Sequence, residues 1–266
     1  MAELQVVLPD ESAAMGPERL VELAVAAEEL GYGTAWLPDH LLPPGPFGST
    51  YGGVYEPLVT IGYLAARTTR IRFGTSVLVL PMRSPYVVAK QAATLHRLSG
   101  ERLVLGVGTG WEAAEFAAVG VSFRERGRRT DESLVIVRSL FAGEDRDGVF
   151  EPKLRAPLPI MVGGTTMPAL RRAARFGGEW QGLGLDAAGF ASAVERLRSL
   201  SAEQNGAARP VRVGTRLDWS SGEPGPVVEA AHELAGAGAE TIAISFGDEQ
   251  EALDRMTRFH TLFTAA

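Results

Sequence analysis

The 266-residue chain contains no cysteine, so it has no disulfide framework and no thiol nucleophile. It also lacks an excess of basic charge, because 26 Lys and Arg residues face 32 Asp and Glu residues and the formal net charge is −6. This balance argues against a nucleic-acid partner, since binding to a phosphate backbone requires a basic face. No apolar run approaches the ~20 residues of a membrane span. A cytoplasmic protein that binds neither nucleic acid nor membrane is expected.

Other signals are missing as well. No basic segment leads an apolar one at the N-terminus, so no signal peptide is predicted. No grouping of His, Asp and Glu has the spacing of metal ligands, and there is no G-x-S-x-G nucleophile motif. What is present is a globular composition, with 45% hydrophobic and 22% charged residues. A single domain over residues 1–266 is expected, since one α/β barrel commonly takes about 250 residues.

Short aliphatic runs alternate with longer segments in which apolar residues recur every three or four positions. This alternation predicts a parallel sheet wrapped by helices. Eight candidate strands are found, the number that a closed barrel requires. They are Leu4–Leu8, Thr34–Leu37, Ile71–Val77, Arg102–Val107, Pro159–Val162, Glu179–Leu183, Val211–Leu217 and Glu240–Ser245.

A doubly wound open sheet is the main alternative, and periodicity does not distinguish it from a barrel. A dinucleotide fingerprint after the first strand would favour the open sheet, but Pro9-Asp10-Glu11-Ser12 has no glycine ladder. The sequence therefore favours the α/β class with a (β/α)8 TIM-type barrel.

In such a barrel the chemistry lies on the loops that follow the strands, and these loops hold most of the unusual residues. Asp39-His40 closes the second strand, where an imidazole can exchange a proton near neutral pH. Gly74-Thr75-Ser76-Val77 ends the third strand and is compatible with an ordinary strand exit. Trp180 and Gln181, at the sixth strand, are equally compatible with a pocket and with packing between helices. The loops Asp10–Pro17 and Pro43–Gly53 carry no motif that identifies a substrate.

Two glycine-rich loops are candidate ligand sites. Gly106-Val107-Gly108-Thr109-Gly110-Trp111 lies between a strand and a helix, where alternate glycines allow a ligand to approach the backbone. Val162-Gly163-Gly164-Thr165-Thr166 likewise precedes a helix, whose N-terminus favours an anion such as phosphate. A tight turn in the first loop and N-capping by Thr166 in the second are the alternatives.

The order of these motifs resembles that of the bacterial-luciferase-like family over residues 17 to 200. The segments that carry the resemblance are Leu30–His40, Arg70–Val77, Ala89–Gln91, Leu98–Arg102, Gly106–Trp111, Glu115-Phe116, Arg126–Glu132, Pro159–Gly164 and Ala169–Ala174. Within the family the chain looks most like the branch assigned to coenzyme F420, an 8-hydroxy-5-deazaflavin, rather than to FMN. The resemblance implies an oxidoreductase that transfers a hydride between reduced F420 and a small organic molecule.

The resemblance also implies roles for particular residues. Asp39 would hydrogen-bond the deazaflavin ring, and His40 would be the catalytic proton donor or acceptor. The Ser76-Val77 peptide would form a bulge, often with a cis bond, against one ring face. The ring and its tail would be flanked by Gly108, Thr109, Gly110 and Trp111, and the phosphate would be bound by Gly163, Gly164 and Thr165. A homodimer is expected from the same resemblance.

Three features depart from the family pattern. Trp111 stands where some deazaflavin enzymes have a glutamate, and Thr165-Thr166 stands where relatives often have Asn or His before Ser. The segment between Phe141 and Pro159 is shorter than in relatives. Two alternatives to the F420 enzyme remain, an FMN-dependent two-component monooxygenase and a non-catalytic barrel that binds a flavin or another ligand.

Overall fold

The computed structural model describes residues 2–9, 15–45, 55–144, 148–205 and 210–265. The strands in these ranges are β1 Glu3–Val7, β2 Thr34–Leu37, β3 Arg72–Thr75, β4 Leu78–Val79, β5 Leu103–Gly108, β6 Ile160–Gly163, β7 Glu179–Leu183, β8 Arg212–Asp218 and β9 Thr241–Ser245. The helices are α1 Pro17–Leu30, α2 Pro57–Ala65, α3 Pro85–Leu98, α4 Ala113–Ala118, α5 Arg126–Phe141, α6 Met167–Phe176, α7 Ala187–Asn205, α8 Gly225–Gly236 and α9 Ala252–Ala265. Two 3₁₀ turns, Leu80–Met82 and Phe123–Glu125, precede α3 and α5.

The strands close into a parallel barrel. Their order is β3-β2-β1-β9-β8-β7-β6-β5-β4, and an additional pairing of β3 with β5 closes the sheet. All the recorded pairings are parallel. Because β3 and β4 share one position beside β5, the strands occupy eight barrel positions. The predicted (β/α)8 barrel is confirmed.

The prediction of one continuous third strand over Ile71–Val77 is wrong, because an extra residue interrupts it. Gly74 pairs with Val104 and Leu78 pairs with Val107, so this strand advances four residues while β5 advances three. The mismatch is a β-bulge, which bends a strand and redirects its side chains. The bulge contains Ser76 and Val77, and the peptide bond between them is cis, as the family resemblance implied.

Helix ends follow the expected sequence signals. Proline opens α1, α2 and α3, where its missing N–H leaves no helical bond unmade. Gly31 ends α1 in the left-handed conformation, with φ of 89°, and its N–H donates to the carbonyls of Ala27 and Glu28.

Part of the barrel interior is apolar, although Trp36 Nε1 donates there to the buried side-chain carbonyl of Gln5 at 2.8 Å. Val7, Trp36, Val104, Met161 and Ala243 form a buried cluster inside it, against which Val77 packs. The larger core lies elsewhere and joins strands to helices. Because side chains occupy the interior of such a barrel, a ligand is expected above it at the carboxyl ends of the strands, where the loops begin.

The amino ends of the strands carry a network of charges. Arg72 contacts Glu179 at 2.9 Å and Glu3 at 3.6 Å, and Arg212 contacts Glu3 at 2.8 Å. Burial opposes ionisation of Glu3, but the hydrogen bonds and charges of Arg212, Gln5 and Arg72 outweigh it and lower the pKa of Glu3. This end of the barrel is closed by ion pairs.

The two predicted substrate loops lie largely outside the described residues. Only Met15 to Pro17 of the first loop and Pro43 to Gly45 of the second are described. Over the described ranges, no helix combines the length and apolar character needed to cross a bilayer.

Candidate active site

A cleft of about 480 Å³ opens at the carboxyl ends of the strands. Ten of the eleven predicted site residues line it, namely Asp39, His40, Ser76, Val77, Gly108, Thr109, Gly110, Trp111, Gly163 and Gly164. They come from four barrel positions and are distant in sequence. The topology alone brings them to one end of the barrel, as the sequence predicted.

Thr165 is the exception. It is exposed, and the described lining of the cleft does not include it. The neighbouring Thr166 caps α6 instead, because its side-chain oxygen accepts the N–H of Ala169 at 3.4 Å. The capping alternative for Thr166 is therefore what the structure has.

The glycines at positions 106, 108 and 110 lie against the bulged strand. A Cβ at Gly106 would overlap the Thr75 carbonyl, one at Gly108 would overlap the Val77 side chain, and one at Gly110 would overlap Val79. The alternating glycines thus make room for the bulged strand beside them. Gly108 and Gly110 also line the cleft, so their contact with a ligand stays a prediction.

Val77 forms the floor of the cleft. Its Cγ1 would lie 2.5 Å from a Cβ at Gly163, and its Cγ2 is directed at Gly108. The side chain therefore lies between β5 and β6 and covers the interior cluster below. The result is an apolar surface at the centre of the barrel mouth.

The hydroxyl of Ser76 points across the barrel. It donates to the side-chain carbonyl of Gln181 on β7 at 2.7 Å, although β5 and β6 lie between the two strands. Of the two alternatives that the sequence left open, a pocket position and packing between helices, Gln181 has the pocket position. Trp180 packs outward, stacked on Phe190, and its Nε1 donates to the Gly164 carbonyl at 2.8 Å.

His40 is held by a carboxylate from the next loop. Its Nδ1 lies 3.0 Å from Oε2 of Glu115, which is in the first turn of α4. The edge of the ring also contacts Trp111, with centroids 5.7 Å apart and an interplanar angle of 72°. A histidine fixed in this way at a cleft is suited to proton transfer.

Asp39 is buried and engaged by Arg83. Arg83 donates to both carboxylate oxygens, at 2.7 and 2.8 Å, and the N–H of Val79 donates to one of them at 2.7 Å. Burial raises the pKa of the Asp39 carboxyl, and Arg83 with the Val79 N–H opposes this effect. In the structure Asp39 secures the strand that follows the bulge, while its contact with a ring stays a prediction.

A second cavity of about 150 Å³ adjoins the cleft, and both are lined by Gly108, Thr109, Gly163 and Gly164. Its far side is formed by Thr130, Thr166, Ala169 and Arg172. Arg172 is bound to Asp131 at 2.6 Å and to the Gly127 carbonyl at 3.1 Å. The N-terminus of α6, the threonine hydroxyls and the guanidinium of Arg172 together make this cavity suitable for an anionic group.

Three side chains of the site were absent from the predicted set: Glu115, Arg83 and Arg172. Each acts on a residue distant in sequence, so no local pattern indicates it. The available signal for Glu115 was its place in the first helical turn after a glycine-rich strand end. Arg216, Leu183 and Asp218 also line the cleft from β7 and β8.

In the described part of the chain, no three His, Asp or Glu side chains converge on a point that could hold an ion.

Comparison with known proteins identifies the family. A model described as luciferase-like monooxygenase matches residues 3–262. An uncharacterized protein of Mycobacterium tuberculosis is 40% identical over 187 residues, which are 62% of this chain and 65% of that protein. The F420-dependent glucose-6-phosphate dehydrogenase of Kineococcus radiotolerans is 36% identical over 160 residues, 55% of this chain and 46% of that enzyme. The match thus spans less than two thirds of the length of either relative.

Solved structures share the whole fold at low identity. An F420-dependent secondary alcohol dehydrogenase, in complex with an F420-acetone adduct, superposes with a TM-score of 0.83 at 14% identity and covers 98% of this chain. That match covers 99% of the dehydrogenase. The oxygenating constituent of 3,6-diketocamphane monooxygenase from Pseudomonas putida, in complex with FMN, has a TM-score of 0.77 at 15% identity and covers 97% of this chain and 95% of its own. Because the family model spans nearly the whole chain, this protein belongs to the luciferase-like monooxygenase family of oxidoreductases.

Proposed function

We propose that the protein is an F420-dependent oxidoreductase that transfers a hydride between reduced deazaflavin and a small organic substrate. The observation that carries the proposal is the meeting, in one cleft, of an apolar floor at Val77, a fixed histidine and an adjoining anion cavity. An F420-dependent relative at 36% identity supports the choice of cofactor.

The residues present fit a planar ring with a phosphate-bearing tail. The ring would lie on Val77, beside the loop from Gly108 to Trp111, and the tail would run past Gly163 and Gly164 into the cavity at α6. Arg172 and the α6 N-terminus would hold the phosphate, with Thr165 at its exposed side. A bound deazaflavin would supply the hydride chemistry, and the protein supplies position and electrostatics.

His40 is the proposed catalytic residue. It lies at the cleft, and a histidine near neutral pH can give or take the proton that accompanies reduction of a C=O, C=C or imine group. Trp111 and Leu183 are large apolar side chains at the mouth with about half or more of their surface exposed, so an apolar substrate is favoured.

The second candidate is an FMN-dependent two-component monooxygenase. It is favoured by the fold shared with the diketocamphane enzyme, whose structure contains FMN. The same floor and anion cavity would accept FMN, so geometry does not separate the two. Dioxygen separates the two functions, because only the monooxygenase requires it.

The test is turnover without oxygen. Purified protein with reduced F420 is expected to oxidise the cofactor anaerobically in the presence of one member of a panel of aldehydes, ketones, enones and imines. His40→Ala should lower the rate by roughly 10²- to 10⁴-fold, whereas His260→Ala, on α9 and outside the described cleft lining, should not. Turnover that requires both FMN and dioxygen would refute the proposal.

A further inference from the structure

Glu115 uses both of its carboxylate oxygens in a buried position. Its side chain is 3% exposed, and Oε2 lies 3.0 Å from His40 Nδ1. Oε1 accepts the backbone N–H groups of Leu41 at 2.6 Å and Leu42 at 2.9 Å. One side chain of α4 therefore holds the histidine ring and the two residues that follow it, although α4 lies more than 70 residues further along the chain.

The three contacts decide where the proton of the ring lies. The two backbone N–H groups can only donate, so Oε1 accepts from both. An ionised Glu115 carboxylate has no proton to give, so Oε2 can only accept and Nδ1 of His40 is then the donor. In a neutral imidazole one nitrogen carries the proton and the other the lone pair, so the lone pair is at Nε2.

We infer that Glu115 is a positioning residue that selects the Nδ1–H tautomer of His40 and makes Nε2 the atom that exchanges a proton in the cleft. The part concerning exchange with a substrate rests on the function proposed above. To act as an acid, the ring first takes a proton from solvent onto the Nε2 lone pair and becomes an imidazolium. The Nε2–H bond then breaks, its electron pair stays on Nε2, and the proton joins the substrate oxygen, nitrogen or carbon. The ring is left neutral, with Nδ1–H still bound to Glu115.

Replacing the carboxylate with an amide reverses the arrangement. In Glu115→Gln the side-chain oxygen is needed by the N–H groups of Leu41 and Leu42, so the NH₂ group faces Nδ1. Nδ1 must then accept, and the ring proton moves to Nε2. The variant keeps the shape of the side chain and removes its charge, so the tautomer is the readout that a purely structural role would not change.

The experiment is ¹⁵N NMR of the histidine side chains in the ligand-free protein at about pH 8, where an ordinary imidazole is neutral. The chain has only 4 histidines, and His40 is assigned by the signal lost in His40→Asn. We expect Nδ1–H in the wild type and Nε2–H in Glu115→Gln. Glu112→Gln is the matched control, since Glu112 lines the same cleft but caps Ala114 instead, and it should keep Nδ1–H.

Either of two results would overturn the inference. One is an Nε2–H ring in the wild type, which is decisive even if the variant does not fold. The other is an Nδ1–H ring in a Glu115→Gln protein with a native circular dichroism spectrum. Once a substrate is known, Glu115→Gln should also lower kcat by about 100-fold or more. Because the NMR result needs no cofactor, it stands or falls separately from the F420 proposal.

Discussion

At the scale of single residues, the site depends on how closely two strands approach. The bulge adds one residue beside β5, and Val77 enters the space that glycine leaves at positions 108 and 163. The position of Val77 at the floor of the cleft therefore depends on the absence of a side chain at Gly108 and Gly163. A methyl group at either glycine has to displace Val77.

Gly163→Ala tests this dependence. The added Cβ would lie 2.5 Å from Val77 Cγ1, so the variant should lose about 1–3 kcal/mol of unfolding free energy in urea denaturation. Gly163→Ala combined with Val77→Ala should cost less than the sum of the two single changes by at least about 0.5 kcal/mol, because the clash is gone. Gly236→Ala, at a position with open space at the end of α8, should cost nothing. Strictly additive effects at residues 77 and 163 would show that they do not compete for space.

At the scale of elements, sequence patterns predicted most of the barrel but not its irregular strand. Glu179–Leu183 has the predicted bounds, and it pairs with both neighbouring strands without a bulge. Ile71–Val77 was predicted as one continuous strand. The bulge exists only relative to β5, and no pattern within the segment itself indicates the extra residue. For the same reason the sequence did not show that the alternating glycines after Leu105 also make room for atoms of Thr75, Val77 and Val79.

The candidate site was predictable as a set of loops and not as a set of contacts. Asp39 and His40 were found because the second strand ends there. Their partners Arg83 and Glu115 were not, since those pairs form only when the barrel closes. Topology brings loop residues together, but hydrogen-bond partners depend on side-chain positions that spacing does not encode.

The link between α1 and β3 gives a prediction for pH. Glu28, near the end of α1, accepts the N–H groups of Thr69, Arg70 and Ile71. Burial opposes its ionisation, but these backbone donors prevail and lower the pKa of Glu28 from 4.5 to about 2. An acid whose pKa falls on folding stabilises the folded protein above its unfolded pKa, and this contribution is lost as the pH falls from about 4.5 to about 2.

Glu28→Gln should accordingly lower the unfolding free energy at pH 7 by an amount of order 1 kcal/mol, after allowance for solvent screening. The difference between variant and wild type should shrink as the pH falls through that window, which urea denaturation at a series of pH values would show. Glu29→Gln, an exposed neighbour on the same helix, serves as the control. A deficit that is constant from pH 7 to pH 2 would exclude the ionised carboxylate as its source.

At the scale of the whole molecule, the barrel leaves apolar side chains on the surface of its helices. Val59 and Tyr63 of α2 are exposed, as are Tyr86 and Val87 of α3, which packs beside α2. Exposed apolar groups on adjacent helices are suited to association with a second copy. The homodimer expected from the family resemblance stays a prediction, and this face is where we place it.

Light scattering coupled to size exclusion would test that assignment. The wild type should elute as a dimer, and Val59→Asp combined with Tyr63→Asp should elute as a folded monomer, since buried unpaired charge disfavours an interface. Val135→Asp makes the same kind of substitution at an exposed apolar residue of α5, and this variant should remain dimeric. A monomeric wild type would contradict the expectation, as would a double variant that stays dimeric.

The central claim is the identity of the cofactor, and a competition between two cofactors tests it most directly. Trp111 lies at the cleft and is 50% exposed, whereas Trp36, Trp180 and Trp219 are buried, so tryptophan fluorescence reports occupancy of this site. We expect titration with F420 to give a Kd of about 1 μM or lower and titration with FMN a Kd at least about 10-fold higher. Tighter binding of FMN would move the protein to the flavin monooxygenases of the family, and binding of neither would contradict the proposed enzyme altogether.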